Sequence, residues 1–411
     1  MCLISSSTPA VTSFKMAGFN PTLKKAYWSL VAVGGVYVVL IALLIHPVVQ
    51  KNLVYLHNIK LPIWSDISRP EQFGFAGNEI TPFYLTTPDN EQLFAWHVLP
   101  QALYAQHRDE LLRRDVGLVE DITQTLGFRL LKEDKEARLL NAGNVAQGYR
   151  PEAYRVWSGV DPSKIHILTF DYRGFGRSSG DPSETGLITD AVTALNFAIH
   201  TAGVDPSRIV IVGHSLGTAV ALGATEQLAR EQSIEFAGVI LCASFSKLKT
   251  LILTYSLAGM VPILKPLNPY PVLQKWLTKF VREPWDGEER LKSLIEHSPH
   301  LKLTMLHAHN DYEITWTHAR LLFHTAANAI MAKSTEGTAT KGEIDSPLKF
   351  EEIEKRKQRT ELGDEGWVDT WVEGVPVGGW RIEHRMVTWG SHDRVITSSA
   401  ARLLIRDMLG L

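Results

Sequence analysis

The chain has 411 residues, 45% of them hydrophobic, with 42 lysines and arginines against 44 aspartates and glutamates and a formal charge of −2. That balance argues against a nucleic-acid footprint, while the length and apolar content admit either two average domains or one elaborated α/β domain. The two cysteines, Cys2 and Cys242, sit at the terminus and in an apolar run, and imply no disulfide framework.

In chain order, residues 1–26 are rich in serine and threonine, carry Lys15, Lys24 and Lys25, and read as a disordered tail. Residues 27–49 hold no charge and are almost wholly apolar from 28 to 45, which is long enough for a membrane-spanning helix. The run has no polar face, unlike a helix at the surface of a soluble domain. Two lysines just before it against one just after, Lys51, lean towards a cytoplasmic N-terminus. A connector over 50–69 leads into a domain over 70–411.

That domain opens with strand-like runs at 80–87 and 92–99, joined by Pro88-Asp89-Asn90-Glu91, a hairpin signal. Residues 101–137 are charged and helix-prone at 109–114 and 133–138, and read as an insertion. A very short strand at 137–140 precedes an Asn- and Gly-containing loop over 141–149 and a helix to about Val156. Further strands are expected at 165–170, 209–212, 238–242, 303–306 and 384–388, with helices at 190–201, 218–227 and 398–408. Strands separated by helix-length segments imply parallel βαβ units in an open sheet. Two insertions break the rhythm. Residues 246–298 are rich in Leu, Ile, Pro and Trp; residues 333–379 are polar, with a dense charge block at 351–359, and read as a solvated excursion.

Ile209-Val210-Ile211-Val212 runs into Gly213-His214-Ser215-Leu216-Gly217 and then into a helix, the context of a nucleophile elbow. The turn brings strand and helix so close that side chains at 213 and 217 are expected to collide. A serine hydroxyl is a poor nucleophile at neutral pH. It needs a neutral imidazole to take its proton and a carboxylate to fix the tautomer of that imidazole. In this architecture the order is Ser, then Asp or Glu, then His. Asp311 follows the 303–306 strand, with Glu313 as its rival two residues on, and His392 follows the last strand. His307, His309 and His318 lack a metal-ligand spacing such as HExxH, so neither a metal nor a cofactor is expected.

Phe170-Asp171-Tyr172-Arg173-Gly174-Phe175-Gly176, the Gly213–Gly217 pentapeptide, His307-Ala308 with Asp311, and a late Gly390-Ser391-His392 together resemble the α/β-hydrolase superfamily over residues 70–411. Within it they are similar to the membrane-anchored type 12 branch, which contains lysophosphatidylserine and monoacylglycerol lipases. The resemblance implies an α/β-hydrolase fold, with a mostly parallel sheet, helices on both faces and a helical cap at 246–298. It implies hydrolysis of a lipid carboxylic ester by Ser215, Asp311 and His392, with no cofactor. It also implies a catalytic domain in the lumen of the endoplasmic reticulum.

The oxyanion would be held by the backbone N–H groups of Leu216 and Asn141. Here the chain departs from the family pattern, in which a full strand ends in His-Gly-Asn-Ala-Gly, because Leu139-Leu140 stands where His-Gly belongs. Either residues are missing from a central strand or the hole is built differently. Two rival readings keep the fold: a protein depalmitoylase, and a non-catalytic protein that binds lipid or partners.

Overall fold

The computed structural model describes residues 20–58, 65–257, 259–262, 264–335 and 348–411. The chain divides into two compact units, Met1–Gln50 and Lys51–Leu411. In the first, the helix Pro21–Leu43 begins where Asn20 Oδ1 accepts the Thr22 N–H at 3.0 Å and Pro21 takes the first turn. At about 1.5 Å per residue its 23 residues reach about 35 Å, enough to cross a bilayer, and none of them is buried.

The boundaries expected for this span, 27–49, are corrected at both ends. The start moves back to Pro21, placing Lys24 and Lys25 within the first turns. The helix ends at Leu43, and Pro47 opens a second helix, Pro47–Tyr55, because proline disfavours the helical conformation at the residue before it. The expected disordered tail falls, over residues 1–19, outside the described residues.

Among the described residues, the main sheet of the larger unit has ten strands: β1 Ile80–Thr86, β2 Gln92–Val98, β3 Arg138–Gly143, β4 Ile165–Phe170, β5 Ile209–His214, β6 Gly238–Cys242, β7 Lys302–Ala308, β8 Gln358–Glu361, β9 Gly366–Trp371 and β10 Arg381–Val387. They form one sheet in the order β1-β2-β4-β3-β5-β6-β7-β10-β9-β8. The six from β4 to β10 are parallel, and antiparallel strands flank them on both sides.

The unbroken apolar runs follow from burial on both faces of a parallel sheet. Ile209 and Ile211 of β5 turn to one core, and Val210 and Val212 turn to the other. On the first face, helices Leu126–Glu133, Glu184–Asn196, Leu216–Gln232, Gly287–His297 and Thr317–Thr335 contribute Phe128, Leu187, Leu222, Leu291 and Phe323. On the second, Arg150–Ser158 and Ser399–Met408 contribute Trp157 and Leu404.

Three expectations change. The strand expected over four residues at 137–140 is the six-residue β3, which draws in Asn141, Ala142 and Gly143 and pairs fully with β4 on one side. The polar 333–379 segment is not simply a solvated excursion, since it supplies β8 and β9 to the sheet. Its charges compensate one another: Asp369, 1% exposed, accepts from Lys357 at 2.8 Å and from Arg359 at 2.6 and 2.8 Å. The 246–298 insertion also splits. Leu248 and Leu251 of the helix Leu248–Thr254, and Trp285, Leu291, Leu294 and Ile295 further on, belong to the first core, leaving the short helix Pro271–Leu277 and its flanks as the candidate cap.

The chain passes from β3 outward to β4, then returns across β3 to β5. Loops leaving β3 and β5 therefore run to helices on opposite faces and open a crevice at the C-terminal ends of the strands, where ligands bind in open α/β sheets.

Candidate active site

Ser215 leaves the end of β5 with φ 54° and ψ −124°, a strained conformation for a residue with a side chain. The strain is held by its surroundings. Ser215 N–H donates to Cys242 O at 3.0 Å, and Ser215 O accepts from Thr218 N–H at 2.9 Å and Thr218 Oγ1 at 2.7 Å. Gly213 is required, because a Cβ there would lie 2.6 Å from Gly217 O and 2.7 Å from Thr218 Cα. Gly217 is not under the same constraint: its Cβ would meet only Tyr172 Oη, at an ordinary 3.5 Å. The expectation that both glycines relieve a collision holds for one of them.

The ends of β5, β7 and β10 bring Ser215, Asp311 and His392 together. His392 Nε2 lies 3.0 Å from Ser215 Oγ, and His392 Nδ1 lies 2.9 Å from Asp311 Oδ2. The other Asp311 oxygen accepts the N–H groups of Glu313 and Ile314, each at 3.0 Å. Glu313 thus supports Asp311 through its backbone, while its own carboxyl is raised by burial. His307, fully buried, places Nε2 2.9 Å from Ile314 O and 3.4 Å from Asp311 Oδ2. Burial works to raise the Asp311 pKa, but hydrogen bonds from His307 and His392 outweigh it and hold the carboxyl well below its usual range. At His392 burial opposes charge, and Asp311 more than reverses that, so the imidazole pKa lies above its ordinary value.

Several residues not singled out in the sequence join the three loops. Asn310 Oδ1 accepts from Gly390 N–H at 3.1 Å and Ser391 N–H at 2.9 Å, tying the Asp311 loop to the His392 loop. Arg150 donates to Gly143 O and Gln147 O, each at 3.1 Å, and its Nη2 lies 3.4 Å from His214 Nδ1. An arginine facing Nδ1 leaves the proton of a neutral His214 on Nε2, which donates to His392 O at 2.8 Å. Burial keeps His214 in that neutral form. Asp171, its pKa pushed up to about 6 by burial, accepts Val145 N–H at 2.8 Å and fastens the loop after β3. The local signal for Asp171 and its neighbours was the Asp171–Gly176 motif, which carried the resemblance but no role for single residues.

Leu216 opens its helix, so its N–H has no intrahelical acceptor and stands beside Ser215. Asn141 does not stand there. It lies inside β3, opposite Leu168 of β4 and Ile211 of β5, four residues short of Ser215 along the register, with its backbone among the sheet hydrogen bonds. The expectation that Asn141 N–H faces the oxyanion is corrected by this placement. The loop level with Ser215 begins at Asn144, whose N–H donates to Phe170 O at 2.7 Å.

Residues 139–407 match the alpha/beta hydrolase family. Lysophosphatidylserine lipase ABHD12 of Gallus gallus is 32% identical over 203 residues, covering 48% of this chain and 48% of the relative. Protein ABHD12B of Homo sapiens is 25% identical over 284 residues, covering 68% and 70%. The chain therefore aligns with about half the length of the lysophosphatidylserine lipases it matches. The crystal structure of an alpha-beta hydrolase from Vibrio vulnificus shares the fold with a TM-score of 0.53 at 16% identity, covering 89% of this chain and 94% of that one. A strained serine at the elbow, parallel strands presenting all three loops at one edge, and the sequence match across both agree: the chain belongs to the α/β-hydrolase family, and its named relatives fall in the branch that its motifs resemble.

Proposed function

We propose that this chain is a membrane-anchored serine hydrolase that cleaves a lipid carboxylic ester, of the lysophospholipid or monoacylglycerol class, through Ser215, His392 and Asp311. The observation that carries this reading is the unbroken line from Ser215 Oγ through the His392 ring to Asp311 Oδ2, at 3.0 and 2.9 Å. His392 Nε2 takes the Ser215 proton as Oγ attacks the ester carbonyl, and Asp311 stabilises the imidazolium that forms. Leu216 N–H donates to the oxyanion. Asn144 and Val145 have already committed their N–H groups, so a second donor would come from beyond Val145 in the same loop. Collapse of the tetrahedral intermediate expels the alcohol, which takes its proton from His392. Water then attacks the acyl-enzyme, with His392 as base, and releases the fatty acid and Ser215.

The lipid class is supported by the lysophosphatidylserine lipases among the relatives and by the apolar N-terminal helix. We assign the catalytic unit to the lumen of the endoplasmic reticulum. The family resemblance and the lysines at the start of the span support that side.

A fluorophosphonate probe is expected to label the wild type on Ser215. Ser215→Ala should lose both labelling and hydrolysis of a lysophospholipid, by at least about 1,000-fold. Equal labelling of the two proteins would overturn the reading.

A further inference from the structure

From residue 246 to residue 282 the chain carries six lysines and arginines and no aspartate or glutamate, in a protein whose net charge is −2. Lys247 is spoken for, at 3.3 Å from Asp286 and 3.2 Å from Glu288. Lys249, Lys265, Lys275 and Lys279 are exposed and make no ion pair among the described residues. Between them stand large apolar side chains that the fold leaves in the open: Met260 at 80% exposure, Tyr270 at 61%, Val272 at 83% and Trp276 at 45%. On the helix Pro271–Leu277, Val272, Lys275 and Trp276 share one side by their i, i+3, i+4 spacing, and Lys279 continues that row in the next turn, while Leu277 is buried.

This pattern fits neither a solvated face nor an apolar groove. A solvated face would mix acids with bases and would not expose valine and tryptophan, and a groove for an apolar partner would not be ringed by lysine. Apolar and aromatic side chains interleaved with unpaired cations are the chemistry of a surface that lies in the headgroup layer of a membrane. The chain also carries a helix long and apolar enough to cross a bilayer.

We infer that the side of the Pro271–Leu277 helix bearing Val272, Lys275 and Trp276, with the exposed Lys279, Tyr270, Lys265 and Met260 of the same segment, seats on an anionic phospholipid bilayer, its apolar side chains at the acyl boundary and its lysines at the phosphates. The inference rests on the proposed membrane anchorage and is independent of the proposed chemistry. The same segment reaches the catalytic loops, since Ser256 N–H donates to Glu313 O at 3.4 Å and Gly259 packs on Tyr312. An acyl chain leaving the bilayer along this face would arrive beside Asp311 and His392.

The test uses the full chain in nanodiscs, with an environment-sensitive fluorophore on Val272→Cys in a Cys2→Ser background, where the remaining Cys242 is buried. In discs containing phosphatidylserine the emission should shift to the blue and be quenched by spin-labelled lipid; in purely zwitterionic discs it should not. Combining Lys265→Gln, Lys275→Gln and Lys279→Gln should weaken seating by about five-fold per lysine while leaving fluorophosphonate labelling unchanged. Three results would overturn the proposal: a probe that stays in water in both discs, a shift indifferent to lipid charge, or a shift in detergent that grows with protein concentration and so reports a second copy on this face. Loss of labelling in the wild type would instead count against the hydrolase reading alone.

Discussion

Asp311 and His392 set each other's charge, and the pH dependence follows from that. Only neutral His392 accepts the Ser215 proton, so turnover should fall as pH drops through a pKa lying above the ordinary imidazole value of about 6.5. Asp311→Asn removes the main influence raising that pKa. The acid limb of kcat/KM should move to lower pH, and the plateau should fall by about 10,000-fold as the tautomer is lost. An unshifted limb would mean that Asp311 does not face the imidazole in solution. Ser215, Asp311 and His392 could be picked out in the sequence because they lie one, three and five residues past the ends of strands, so local context sufficed. Asn310 and Asp171 could not, since their partners lie 80 and 26 residues away, and neither could the approach of Arg150 to His214, 64 residues on. Nothing beside them in the chain announces the contact.

Among elements, β3 departs furthest from its sequence reading. A run of four residues with three apolar ones was visible, but pairing with both β4 and β5 recruits Asn141 and Ala142, and pairing with β4 recruits Gly143 as well. Asn141 is 3% exposed, and its Nδ2 has no hydrogen-bond partner among the described residues. An unmet buried donor costs about 1–3 kcal/mol. Asn141→Val should therefore stabilise the fold by a similar amount, read as a higher denaturant midpoint with unchanged slope; a lower midpoint would show that the amide is satisfied. Strands rich in Val and Ile were readable because burial on both faces demands them. β8 was not, because all four of its residues are exposed. Nor was β9, where a buried Asp369 is held by Lys357 and Arg359, and both bases sit in the charge block that had read as solvent-facing.

At the scale of the molecule, the class of fold was legible from the alternation of strands and helices, whereas sheet order was not, because pairing partners carry no mark in the chain. The assigned side of the membrane is checked with sealed microsomes. External protease should leave a fragment containing residues 51–411 intact until detergent is added, and digestion without detergent would place the domain on the cytosolic side. The strand order also has a consequence for synthesis. β10 leaves the ribosome after the other nine strands of the sheet, yet it lies inside it, between β7 and β9. Until it inserts, the β8–β9 hairpin has no neighbour to join, and His392, five residues past the end of β10, is not beside Ser215. Closing the sheet and arming the nucleophile are therefore one event, so a nascent chain still short of β10 carries a serine with no base to activate it.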